Sequence, residues 1–168
     1  MPDFDVITDL RLRGLIHQTT DDAGLASWLL QKRRTLYAGF DPTADSLHVG
    51  HLMALMILRR FQKAGHRPIA LIGGATGMSE ERKLLAEEQL RHNVRCVERQ
   101  LRRFLDFENP ANSALLLNNY DWMGRFGYLE FLREVGKLFP VNVMLTKDSV
   151  RQRLERSDVG LSYTEFSY

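Results

Sequence analysis

A chain with one cysteine cannot build a disulfide framework, and here that residue, Cys96, falls in a charged helical stretch, so a reducing cytosol is the expected setting. Long apolar runs are missing as well. None approaches the roughly 20 residues of a membrane span, and the start Met1-Pro2-Asp3-Phe4-Asp5 lacks the basic opening of a signal peptide. A soluble, cytoplasmic protein with no membrane partner is expected. Net charge is nearly absent too, because 23 basic and 21 acidic side chains leave +2, which neither demands nor excludes nucleic acid. No repeat or linker-like stretch divides the 168 residues. What the chain does have is 44% apolar and 10% aromatic residues, enough for the core of one compact domain.

Phe4, Ile7 and Leu10 recur at helical spacing before Gly14, which predicts a short amphipathic helix with a glycine C-cap. Asp21 or Asp22 can cap a second helix running to Leu30. Thr35 to Phe40 is short and β-prone, and Asp41-Pro42 closes it. From His51 to Ala64 the apolar residues are too many for one stripe, which predicts a largely buried helix ended by Gly65. Arg67 to Gly74 reads as a second strand running into glycines. Strand, buried helix and strand make a βαβ crossover, so the sheet is expected to be parallel, with ligands at the carboxyl ends of its strands. Further on, a long charged helix is expected over Glu80 to Phe104, a third strand over Ala114 to Asn119, and helices over Tyr128 to Leu138 and Val141 to Leu154.

The densest chemistry lies where the first strand turns into the buried helix, in Tyr37-Ala38-Gly39-Phe40-Asp41-Pro42-Thr43-Ala44-Asp45-Ser46-Leu47-His48-Val49-Gly50-His51. The first N–H groups of a helix lack intrahelical partners and carry the positive end of its dipole, so a triphosphate can dock there. Two histidines separated by Val49-Gly50 can lean over one phosphate, and the bare backbone at Gly50 lets a purine approach. The segment is a nucleotide site without a P-loop.

Tyr37 through His51 closely resembles the signature of bacterial tyrosyl-tRNA synthetases, with His48-Val49-Gly50-His51 in place of the His-Φ-Gly-His motif of class I synthetases. The likeness continues in the same order through Phe61-Gln62-Lys63-Ala64-Gly65-His66, Leu71-Ile72-Gly73-Gly74-Ala75-Thr76-Gly77, Asn118-Asn119-Tyr120-Asp121-Trp122, Phe131 to Lys137 and Tyr163 to Tyr168. It implies an α/β, Rossmann-like fold with a parallel central sheet and helices on both faces. The implied activity joins tyrosine to ATP as tyrosyl adenylate and transfers it to tRNA(Tyr), with Mg2+ accompanying ATP and neither a tightly bound cofactor nor a metal held by the protein. It also implies a homodimer, with Tyr163 at the two-fold contact.

Residue by residue, the resemblance implies a tyrosine pocket containing Tyr37, Thr76, Asn119 and Tyr168. Tyr37 meets the substrate phenol and Tyr168 its α-amino group. Ala38, Gly39, Asp41, Thr43, His48, Gly50 and His51 are the implied ATP-binding positions. Thr43, His48, His51 and Arg82 are the implied catalytic ones. A tryptophan-specific relative is disfavoured by Tyr37, since an indole has no para hydroxyl to meet it.

The chain departs from the family after Met78, where Ser79-Glu80-Glu81-Arg82 follows at once and an aspartate and a lysine of a mobile loop are missing. It also ends before the family's Lys-Met-Ser-Lys-Ser-like segment and tRNA-binding domains. Residues 1–168 are therefore expected to be a catalytic-domain fragment, incomplete after Met78 and at the C-terminus. The rival expectation is a non-catalytic, synthetase-like RNA-binding or regulatory protein.

Overall fold

The computed structural model of the chain describes residues 4–73, 87–146, 150, 151, 154 and 166. Asp5 starts helix α1 (Val6–Leu12), because its carboxylate accepts the backbone N–H of Ile7 at 3.0 Å and of Thr8 at 3.1 Å. A hydrogen bond from the Thr8 hydroxyl is the main reason that the Asp5 carboxyl lies below the usual carboxylate range. Neither carboxylate expected ahead of α2 (Leu25–Gln31) caps it: the N-cap is Gly24, without a side-chain cap bond, and Asp21 accepts the N–H of that glycine at 2.8 Å, one step before the helix.

Strand β1 (Thr35–Phe40), helix α3 (Val49–Lys63) and strand β2 (Arg67–Ile72) form the expected crossover. The strands run parallel, in register from Thr35 opposite Arg67 to Phe40 opposite Ile72. Gly65, at φ +89°, ends α3 in a left-handed conformation that a Cβ would strain. Leu55 and Leu58 join Phe40, Ala70 and Ile72 in one cluster, whereas Ile57, Phe61 and Ala64 pack with Val6, Ile7, Leu10 and Leu29 in another. The helix is apolar on two sides because it is the middle of three layers. Its first turns differ from the sequence expectation, since Leu52 and Met53 stay exposed among the described residues.

Helix α4 (Glu87–Leu101) adds Val97 and Leu101 to the sheet cluster. Strand β3 (Leu115–Asn118) pairs parallel with β2, placing Leu115 opposite Ile69 and giving the order β1-β2-β3. Buried Gln62 fixes the approach to β3. Its amide donates to the carbonyls of Asp106 at 2.6 Å and Asn112 at 3.2 Å and accepts from Asp106 N–H at 3.0 Å. Asn112 returns the contact by donating to the carbonyls of Gln62 and His66 at 2.6 and 3.1 Å. Left unpaired, each such buried group would cost about 1–3 kcal/mol.

Alternation along the strands sorts their side chains onto two faces. Leu36, Ala38, Phe40, Ala70, Ile72 and Leu116 meet α3 and α4, while Tyr37, Gly39, Ile69, Leu71, Leu115 and Leu117 occupy the opposite face. The expectation of an α/β fold with a parallel sheet holds. Helices were expected on both faces, but among the described residues the packed helices lie on one, and Tyr37, Leu115 and Leu117 are exposed on the other.

Beyond β3 come α5 (Tyr120–Met123), α6 (Tyr128–Glu134), a 3₁₀ turn over Gly136–Leu138 and α7 (Val141–Leu145). The single helix expected over 128–138 is broken at Gly136, a residue that weakens a helix by about 1 kcal/mol relative to alanine. None of these elements buries a residue. The helix expected from Glu80 is observed from Glu87; of the one expected over Val141 to Leu154, α7 covers the start and Val150, Arg151 and Leu154 are helical as well, while residues 74–86, 147–149, 152 and 153 lie outside the described residues.

Candidate active site

The carboxyl ends of the three strands are knit together by backbone bonds, from Gly73 N–H to Phe40 O at 3.0 Å and from Asn119 N–H to Ile72 O at 3.1 Å. In an open parallel sheet this rim is where ligands bind. Past the buried Phe40 the chain turns through half-buried Asp41 and buried Pro42, exposes Thr43 to Ser46, and packs Leu47 back onto the core. Thr43 thus stands on a short bridge between two anchored residues.

The start of α3 is built by the two signature histidines. His48 is the N-cap, and its ring Nδ1 accepts from Gly50 N–H at 3.0 Å. His51 Nδ1 reaches back to His48 N–H at 3.4 Å, so two imidazoles fill the parts that Ser and Glu play in an ordinary capping box. The rings stack with centroids 3.8 Å apart and planes 21° from parallel, and the Phe40 ring meets His51 edge-on at 6.2 Å. In this network the Nδ1 of each ring accepts a backbone N–H, which leaves Nε2 as the ring atom that can donate. Burial, then the neighbouring His48, pushes the His51 pKa down against the opposing charge of Asp41. His51 is therefore neutral at pH 7.

This arrangement corrects the simple helix-dipole picture. The N–H groups of His48 and Gly50 are occupied by the rings, so an anion at this terminus meets imidazole N–H donors as well as the Val49 amide. Within the protein, the neighbour of Gly50 is the His48 ring. A Cβ built there would lie 2.9 Å from Cε1 and 3.1 Å from Nδ1 of His48, so the bare backbone is what lets the ring fold down.

Tyr37 lies in the middle of β1 on the open sheet face, opposite Ile69, and is 70% exposed. The deep pocket expected around it is not formed by the described residues. Gly39 follows on the same face, and a Cβ there would meet nothing within 4 Å, so an open floor extends from Tyr37 to the rim. Ala38 packs the other way, against the core, and can reach a ligand on the open face only through its backbone. Asn119 is half-buried at the end of β3, with β2 between it and β1. Thr76, Arg82 and Tyr168 lie outside the described residues.

A separate concavity of about 500 Å³ sits at the opposite end of the sheet, with Lys32, Arg33, Lys63 and Asn112 in its wall. Its lysines stand at the carboxyl ends of α2 and α3, where cations complement the helix dipole. That accounts for them without a ligand.

The chain is 62% identical over 170 aligned residues to the tyrosine–tRNA ligase of Rhodopirellula baltica, covering 97% of this chain and 38% of that protein. Against the tyrosine–tRNA ligase of Laribacter hongkongensis it is 54% identical over 175 positions, covering 100% of this chain and 41% of the relative. Among solved structures, a C-terminally truncated mitochondrial tyrosyl-tRNA synthetase of Aspergillus nidulans superposes with a TM-score of 0.80 at 31% identity, covering 98% of this chain and 51% of that one. The chain thus spans about two fifths of the length of these curated relatives. The family model described as tRNA synthetases class I (W and Y) matches residues 30–168. That match takes in β1, the paired histidines of α3 and everything after them, and the chain belongs to this family of class I tRNA synthetases.

Proposed function

We propose that the chain carries the ATP- and tyrosine-binding part of a cytoplasmic tyrosine–tRNA ligase and is a catalytic-domain fragment over residues 1–168. The observation that carries the reading is the stacked pair of histidines at the start of α3, each with its Nδ1 turned to the helix backbone, beside an open floor that bears Tyr37. In the reaction a carboxylate oxygen of tyrosine bonds to the α-phosphorus of ATP as the bond to the bridging oxygen breaks, releasing pyrophosphate. No protein nucleophile is needed, so the site works by positioning and by stabilising charge on the departing phosphates. Thr43 and the histidines act as hydrogen-bond donors and transfer no proton. Arg82 joins them on the family resemblance. Mg2+ is assigned to the triphosphate, as the family resemblance implies. The tyrosyl group then passes to tRNA(Tyr).

Tyrosine selectivity tests this reading. Titration calorimetry on the full-length protein should show tyrosine bound about tenfold to a hundredfold more tightly than phenylalanine, the gap expected when a buried hydroxyl loses its partner. Tyr37→Phe should narrow it. Equal affinities in the wild type would remove the assignment.

A second reading, a synthetase-like RNA-binding or regulatory protein, is favoured by one observation. The Laribacter alignment sets 175 positions against the 168 residues of this chain, so the relative carries at least seven residues that this chain lacks. Tyrosine-dependent ATP–pyrophosphate exchange separates the two readings, since only the enzyme supports it.

The assembly proposed is a homodimer through α6 to α7. Leu129 and Leu138 are 72% and 68% exposed, and Tyr128, Phe139, Val141 and Val143 are exposed beside them, a concentration of apolar surface that a partner surface can cover. Tyr163, the expected two-fold contact, lies outside the described residues. A two-fold axis introduces any substitution twice. Leu129→Asp is therefore expected to raise the dimer dissociation constant by about a hundredfold, a central hot-spot effect, in sedimentation experiments at low micromolar concentration. Wild-type protein that sediments as a monomer at high concentration would exclude the dimer.

A further inference from the structure

Thr43 and His48 act at atomic distances, yet they sit on a turn with little regular structure of its own, and the question is what keeps that turn in place. Two side chains of α4 supply the answer. Asn93 is 2% exposed, and its amide donates to the Pro42 carbonyl at 3.0 Å while its Oδ1 accepts from the Gln89 amide at 2.9 Å. Gln100 donates from Nε2 to the carbonyls of Asp45 and Cys96 at 3.0 and 3.2 Å and accepts Leu47 N–H on Oε1 at 3.0 Å. Seven residues apart, the two amides lie two turns apart on one side of the helix. They therefore reach both ends of the turn, Asn93 just before Thr43 and Gln100 just before His48. Val97, between them, is 1% exposed in the sheet cluster, so the helix that carries the clamp is itself seated in the core.

We propose that Asn93 and Gln100 are positioning residues for adenylate formation, holding residues 42–47 so that Thr43 and His48 stay aimed at the triphosphate. The inference rests on the functional reading above. It makes the rate of the chemical step depend on two residues that touch neither ATP nor tyrosine. Only the bridge bearing the phosphate donors is clamped, whereas Tyr37 lies three residues upstream of Phe40 within paired strand. Loss of the clamp should consequently slow the reaction without loosening tyrosine.

The test is a double-mutant cycle on the full-length protein, read by pre-steady-state adenylate formation. Gln100→Met keeps the length of the side chain and removes all its turn contacts. It is expected to lower the forward rate constant about tenfold, within the range that sub-ångström to ångström misplacement produces, and to leave the tyrosine dissociation constant within about twofold. In a Thr43→Ala, His48→Gly background the same change should cost less than about twofold, because the groups it positions are gone. Gln100→Glu keeps the acceptor for Leu47 N–H but not the donor to Asp45, so its rate should fall between wild type and Gln100→Met. It also serves in the cycle if Gln100→Met does not fold. An equal loss in both backgrounds, or a folded Gln100→Met protein with the wild-type rate, overturns the clamp alone. A wild-type protein without tyrosine-dependent exchange overturns the functional reading and the clamp with it.

Discussion

Thr43→Ala and His48→Gly are each expected to slow formation of tyrosyl adenylate by about 100- to 1,000-fold, the loss typical of removing one preorganised donor, while tyrosine affinity changes by less than about twofold. Thr43 is exposed between buried Pro42 and packed Leu47, so its hydroxyl is available to a ligand and its removal leaves the fold intact. His48 has two duties in this reading, since its Nδ1 caps α3 while Nε2 of the exposed ring is the atom assigned to the phosphate. Glycine at 48 therefore removes a cap, at a cost of only about a few tenths of a kcal/mol because glycine is itself tolerated there, as well as a donor. His48→Ser separates the duties, because a serine hydroxyl can accept Gly50 N–H but cannot reach where the imidazole reaches. Stability should return in that variant and rate should not. Rapid-quench measurement of adenylate formation, with thermal melts on the same samples, decides the matter. If either substitution weakened tyrosine binding as much as it slowed the step, the residue would belong to ground-state binding.

The segments that the sequence made legible are those whose pattern is local. The short β-prone run ending at Asp41-Pro42, the dense apolar residues of α3 and the stop at Gly65 each carry their own signal, and the crossover follows from their order. The histidine pair was also visible as a pair. Its geometry was not, because whether a ring turns outward to a phosphate or back onto its own helix depends on rotamers that spacing does not encode. Asn93 and Gln100 were hidden for a related reason. On α4 they are two polar residues among many, and their partners lie more than fifty residues away in a turn with no periodicity. Tyr37 shows the opposite failure. Its place on β1 was evident, but the pocket expected around it is not formed among the described residues, which leave it exposed.

Gly50→Ala sets local propensity against the site, which makes it the sharper of the two expectations. Within a helix alanine is favoured over glycine by about 1 kcal/mol, so on propensity alone the variant gains stability. The added methyl, however, would stand 2.9 Å from Cε1 of His48, closer than carbon atoms approach without repulsion. The clashing atoms lie at the far end of the exposed His48 side chain, so the ring is expected to move away from Gly50 N–H and from the stack with His51. The variant should therefore melt within a few degrees of the wild type, yet form adenylate about a hundredfold more slowly, close to the loss expected on removing His48 itself. The His48→Gly background distinguishes this cause from the purine contact that the sequence suggested. If the ring is what Gly50 accommodates, Gly50→Ala adds almost nothing once the ring is gone, and the two losses are strongly non-additive. If a purine base lies over Gly50, the methyl still obstructs it, and the KM for ATP rises in either background. A Gly50→Ala enzyme within a few-fold of the wild-type rate would remove both explanations and leave the glycine without a role at the site.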